Sequence, residues 1–149
     1  MIVHTSKGHS TSRSGFSLIE LLIVVTIISI VAAIAQPQLH SVLLKARAAD
    51  AVADMNVVRV AALTFQGDQS AWPPEAGVGT VPTGLAAFLP DNFSFTHEEY
   101  TLDYDFYGGI PFMAGVTMVT TNSDLGLAVI DLIGKGVTNT GNKYSWIID

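Results

Sequence analysis

Phe16-Ser17-Leu18-Ile19-Glu20-Leu21-Leu22-Ile23-Val24-Val25-Thr26-Ile27-Ile28-Ser29-Ile30-Val31-Ala32-Ala33-Ile34-Ala35 is the stretch that decides the fold. It contains neither Gly nor Pro, and Glu20 is its only ionisable side chain. Its length matches the roughly 20 residues that a helix needs to cross a bilayer's hydrocarbon core. Its 13 Phe, Leu, Ile and Val residues contribute about −0.3 to −0.6 kcal/mol each on an insertion scale. Their sum, roughly −4 to −8 kcal/mol, outweighs the about +2.5 to +3.5 kcal/mol charged for a carboxylate at mid-bilayer. The run is therefore predicted to insert as a helix despite Glu20. An ionisable residue kept inside such a span is a functional-site candidate whose partner must be found.

Upstream, Met1 to Gly15 is polar and basic, with Lys7, Arg13, His4 and His9 and no acid. A positive segment ahead of the first span holds that end in the cytoplasm, so the expected topology is single-pass, N-in and C-out.

Gly15 followed by Phe16-Ser17-Leu18-Ile19-Glu20 and a long apolar run resembles the class III leader of type IV pilins and type II secretion pseudopilins. The resemblance implies a cut between Gly15 and Phe16 by a prepilin peptidase, so that residues 1–15 are a cleaved leader, and N-methylation of Phe16 by the same enzyme. It further implies a bacterial inner-membrane subunit that an assembly platform and its ATPase extrude into a helical homo-oligomeric filament, periplasmic or extracellular. Cleavage would leave an ammonium at Phe16. Glu20 of a neighbouring subunit is its natural counter-charge, because a paired carboxylate is far cheaper in low dielectric than an unpaired one. In that reading Phe16 and Glu20 set the register of assembly. Ser17 reads as a helix-start residue rather than a nucleophile, and a lone Glu20 snorkelling to the interface is the simpler alternative.

A different class of reading exists. Ala33-Ile34-Ala35 before Gln36 has the small-x-small form of an ordinary secretory cleavage site, which would release a secreted binding domain starting at Gln36. The length of the run and the presence of Glu20 argue against it. Within the family, a pilus or DNA-uptake pilin is the alternative to a secretion pseudopilin. The chain has no cysteine, unlike the many major pilins that close a C-terminal loop with a disulfide, and this favours the pseudopilin.

Beyond the span (residues 16–36), Pro37 removes a backbone donor and clashes one turn back, so a helix kink is expected there. The resemblance adds a glycine eight residues earlier in many members; Ser29 stands there instead. The helix is then predicted to continue over residues 37–66. Leu44, Ala48, Ala51, Met55, Val58, Ala62 and Phe65 fall on one face of it at alternating spacings of four and three. Residues 67–92, rich in Gly and Pro, read as a connecting region in which Trp72, Leu85 and Phe88 pin the loop to the domain.

From Phe93 to the C-terminus the pattern turns to period two. Tyr100, Leu102, Tyr104 and Phe106 alternate with Thr101, Asp103 and Asp105, and Pro111–Thr121, Leu125–Ile133 and Lys143–Ile148 read as three further strands. The expected fold is α+β and pilin-like: a long N-terminal helix, half membrane-spanning and half amphipathic, on a four-stranded antiparallel sheet joined as a meander.

Without residues 1–15 the chain carries five basic residues against 13 acids, so nucleic acid, whose phosphates it would repel, is not an expected partner. Asp103 and Asp105 are assigned to the solvated outer face. The resemblance admits calcium near the C-terminal loops, but that tail lacks the dense oxygen cluster calcium needs, and no cofactor is expected. No Ser/His/Asp set, zinc spacing or phosphate-cradling loop is present, and an enzymatic role is not expected.

Overall fold

The computed structural model describes residues 15–109 and 114–148. The expected leader lies almost wholly outside the described residues, as does the Pro111–Met113 start of the second expected strand. The chain divides into two compact units, Met1–Leu39 and His40–Asp149, and helix α1 (Leu18–Gln69) contributes to both.

In the first unit every described residue is exposed. This part of α1 holds an 18-residue window of mean hydropathy 2.9, none of it buried. Its two hydroxyls are returned to its own backbone, Thr26 Oγ1 donating to Leu22 O and Ser29 Oγ to Val25 O, each at 2.7 Å. That local bonding leaves neither hydroxyl seeking water, which a hydrocarbon surrounding requires. Glu20 is the only ionisable side chain of the apolar run. α1 continues through Pro37.

In the second unit the predicted stripe faces the core. Ala48, Ala51, Met55, Val58 and Ala62 are buried, joined by Ala61, while Leu44 and Phe65 are partly buried against them. Four of the six buried α1 residues are alanines, and Met55 and Val58 are the larger side chains that α1 buries in the core. The sheet contains β1 (Thr101–Phe106), β2 (Ala114–Val119), β3 (Val137–Thr140) and β4 (Lys143–Ile148), all antiparallel, in the order β1-β2-β4-β3. Register places Leu102 opposite Met118 opposite Tyr144, and Tyr104 opposite Val116 opposite Trp146. These rows meet the helix stripe, with Leu102, Tyr104, Val116, Met118, Tyr144 and Ile148 buried. The α+β architecture expected from the sequence is the one observed.

The identity and order of the strands need correction. Leu125–Ile133 is not a strand but the body of helix α2 (Ser123–Ile133). Asn122 caps it, its Oδ1 accepting from Asp124 N at 3.1 Å and Leu125 N at 3.2 Å; Gly134, at φ 77°, ends it with an N–H donated to Ile130 O at 2.8 Å. Asn is among the strongest N-caps, and Gly takes positive φ at helix ends without a Cβ penalty. The buried positions Leu125 and Val129 lie one helical turn apart, with Gly126 beside them. The fourth strand is instead β3, from a segment outside the expected strands. It pairs with β4 through a two-residue hairpin whose first residue, Gly141, has φ 65°, a position that favours glycine. The chain therefore leaves β2, forms α2 and β3, and returns so that β4 lies beside β2. This is not a meander.

The connecting region is fastened as expected. Leu85 is fully buried, and Phe88 meets Phe65 edge-on at a centroid distance of 5.6 Å. Trp72 is partly buried against the same core. Further along, Gly79 N donates to Leu102 O at 2.8 Å, which lays the segment after α1 along the outer edge of β1.

Candidate functional site

The first helical residue is Leu18, which makes Ser17 the N-cap and Glu20 the third helical position. The two side chains cap each other. Glu20 N donates to Ser17 Oγ at 3.2 Å, while Ser17 N donates to Glu20 Oε2 at 3.3 Å and Ser17 Oγ lies 3.3 Å from the same oxygen. This is a capping box, in which two of the helix's orphan N–H groups are satisfied reciprocally. The carboxylate also sits at the positive end of the helix dipole. Both contacts are received by Oε2, and a carboxylate has about four lone-pair sites, so Glu20 retains capacity for a cation from outside.

The neighbouring residues are open. Phe16 is 76% exposed, and a Cβ built on Gly15 would meet nothing within 4 Å. The chain's own packing thus gives no reason for glycine at position 15; any requirement for it comes from what acts on that bond. The arrangement leaves the Gly15–Phe16 peptide open beside a preformed helix start, with a carboxylate one helical turn beyond it. Ser17 is the helix-start residue that the sequence indicated. The reciprocal bond from Glu20 was missed, although Ser17-x-x-Glu20 is its sequence signature.

Two further polar clusters lie in the second unit. In one, Tyr100 donates to Asp54 at 2.6 Å, His97 stacks on Tyr100 with centroids 4.5 Å apart, and Arg47 pairs with Glu99 at 2.5 Å. Burial and then the Asp54 carboxylate push the Tyr100 hydroxyl's pKa up, so it stays a donor. In the other, Glu75, Asp103 and Asp105 converge with ligand atoms within 4.8 Å of one another. Asp103 is not on a solvated surface as expected: it is 4% exposed. Its pKa is pushed up to about 6, first by burial and then by the Asp105 charge, with Lys143 opposing.

Residues 10–36 match a protein-family model described as the prokaryotic N-terminal methylation motif. The match spans Gly15, Phe16 and Glu20, together with the unburied apolar stretch of α1 that follows them. The chain thus carries the class III prepilin leader of type IV pilins and pseudopilins, on a pilin-like α+β fold. An exposed apolar helix behind such a leader fits anchoring in a membrane. No solved structure matches the chain.

Proposed function

We propose that the chain is a structural subunit of a type IV pilus-like filament, of the pseudopilin kind that serves type II secretion. The observation that carries the reading is the methylation-motif match at residues 10–36, laid over a helix that buries nothing along its apolar half. In this reading a prepilin peptidase cuts after Gly15 and methylates Phe16, with the N-terminus facing the cytoplasm. The subunit waits in the bacterial inner membrane until an assembly platform and its ATPase add it to the filament. The first part of α1 then exchanges lipid for neighbouring helices, and Glu20 receives the Phe16 ammonium of an adjacent subunit. Pro37 is the helix kink, where the missing backbone donor lets α1 bend as subunits pack. The absence of cysteine supports the secretion role over a pilus or DNA-uptake role.

Two experiments test this. Sequencing the mature N-terminus should return Phe16; Gln36 would mean an ordinary signal peptide and a secreted domain. The capping box makes a second test selective. Glu20→Gln keeps a side chain that serves in a capping box equally well but carries no charge, whereas Glu20→Ala removes both roles. If pairing with the ammonium matters, both variants lose filament assembly while cleavage after Gly15 continues. Assembly by Glu20→Gln at the wild-type level would show that Glu20 acts only at the helix start.

A further inference from the structure

Glu75 lies in the segment after α1, and Asp103 and Asp105 lie on β1, the edge strand along which that segment runs. The three carboxylates bring ligand atoms within 4.8 Å of one another. Acidic clusters are common on surfaces, but one member here is not on the surface. Asp103 is 4% exposed, and among the described residues its buried Oδ1 has no hydrogen-bond partner. Its other oxygen lies 3.9 Å from Lys143 Nζ, on a side chain that is 48% exposed. A buried carboxylate oxygen left without a partner is costly, and native structures rarely keep one without a reason.

We propose that Glu75, Asp103 and Asp105 form a binding site for a hard divalent cation, calcium in preference to magnesium. All three ligands are carboxylate oxygens, the donor type that such cations take. Three carboxylates face one lysine, so the site attracts a positive charge. The number of carboxylates favours calcium, because magnesium is usually held through one or two carboxylates and keeps several waters, whereas calcium gathers more oxygens in a flexible geometry. Two of the carboxylates are already held: Phe106 N donates to Glu75 Oε2 at 2.6 Å, and Thr117 Oγ1 donates to Asp105 Oδ2. Thr117 is in turn 2.7 Å from Ser145 Oγ on the next strand. Glu75 is exposed, so water would complete the coordination shell and the ion would exchange readily. Bound there, the ion ties the segment after α1 to the sheet edge and supplies the partner that Asp103 Oδ1 lacks.

The test uses the full chain in non-ionic detergent, stripped with a chelator and titrated with calcium chloride at pH 7.5 by calorimetry. One calcium per chain should bind with a dissociation constant at or below about 1 mM, the range of extracellular calcium modules. Glu75→Gln and Asp103→Asn should each weaken binding at least about tenfold while the circular dichroism spectrum is retained, as loss of one ligand charge would. Calcium should raise the melting temperature of the wild type and leave that of Asp103→Asn unchanged. No binding heat and no melting shift at about 10 mM calcium, well above that range, would overturn the site, as would full affinity in Glu75→Gln. Equal affinity for magnesium chloride would overturn the preference for calcium.

Discussion

Replacing Gly126 with alanine sets two effects of opposite sign against each other, and the structure decides between them. Alanine is favoured over glycine in a helix interior by about 0.8–1.0 kcal/mol, so propensity alone predicts that Gly126→Ala stabilises α2. A Cβ at this position, however, would lie 1.9 Å from Tyr144 Cζ and 2.3 Å from both Cε2 and Oη. Ordinary carbon contacts are about 3.5–4.0 Å, so the ring must retreat by more than about 1.5 Å. Tyr144 is 3% exposed, on the central strand β4 opposite buried Met118, and has little room to move. Overpacking of this kind costs about 1–3 kcal/mol, sometimes more. With the upper end of that range less the propensity gain, the net loss is about 2 kcal/mol, or roughly 10 °C in melting temperature for a domain of this size. Urea unfolding of the detergent-solubilised chain, followed by circular dichroism, measures it. In a Tyr144→Leu background the clash is gone, and the same substitution should become stabilising by up to about 1 kcal/mol. A neutral or stabilising Gly126→Ala in the wild-type background would refute the claim that the ring fixes the seat of α2.

Asp103 makes stability pH-dependent in chelator-treated protein. Its folded pKa of about 6 lies above the ordinary carboxyl value of 3.8, so the native state holds a proton that the unfolded chain releases. The associated stability is fully present below about pH 4 and falls as pH rises through about 6. The decline, about 1.4 kcal/mol per pH unit and about 3 kcal/mol in all, should be absent in Asp103→Asn. Met55→Ala, at a fully buried position facing the sheet, should cost about 2–5 kcal/mol through lost transfer energy and a residual cavity; a loss under about 1 kcal/mol in urea unfolding would show that the α1–sheet contact is loose. Gly15→Ala should leave the melting temperature unchanged, since the site around it is open, yet abolish release of the leader in a gel-shift assay. Normal processing would place the specificity elsewhere.

The parts legible in the sequence were those whose signal is local or strictly periodic. The Leu44–Phe65 stripe needed only spacing, and burial follows it position by position, while the leader was legible through its resemblance to a family motif, which the match at residues 10–36 supports. α2 was misread because Leu125-Gly126-Leu127-Ala128-Val129-Ile130 is apolar nearly throughout, and in such a run period two and period 3.6 both find matches. Its end signals, Asn122 and Gly134, are residue types that serve turns between strands equally well. β3 carries only one apolar residue, Val137, among Thr138, Asn139 and Thr140, so its strand state rests on pairing with β4, which no local pattern encodes. The burial of Asp103 was hidden for a related reason. Alternation put it on the outer face correctly, but what lies over that face comes from distant segments such as the one holding Glu75.

Every fully buried apolar residue of the second unit, from Ala48 onward, is drawn from that unit itself, and residues 18–43 bury nothing. The free energy that folds the head is therefore independent of whether the first part of α1 sits in lipid, detergent or a polymer. On the proposed function, substitutions before position 44 should change where the chain resides and what it joins, while its melting curve stays put. Those in the core should do the reverse. Such a division lets residence and assembly be altered by sequence change without putting the folded head at risk.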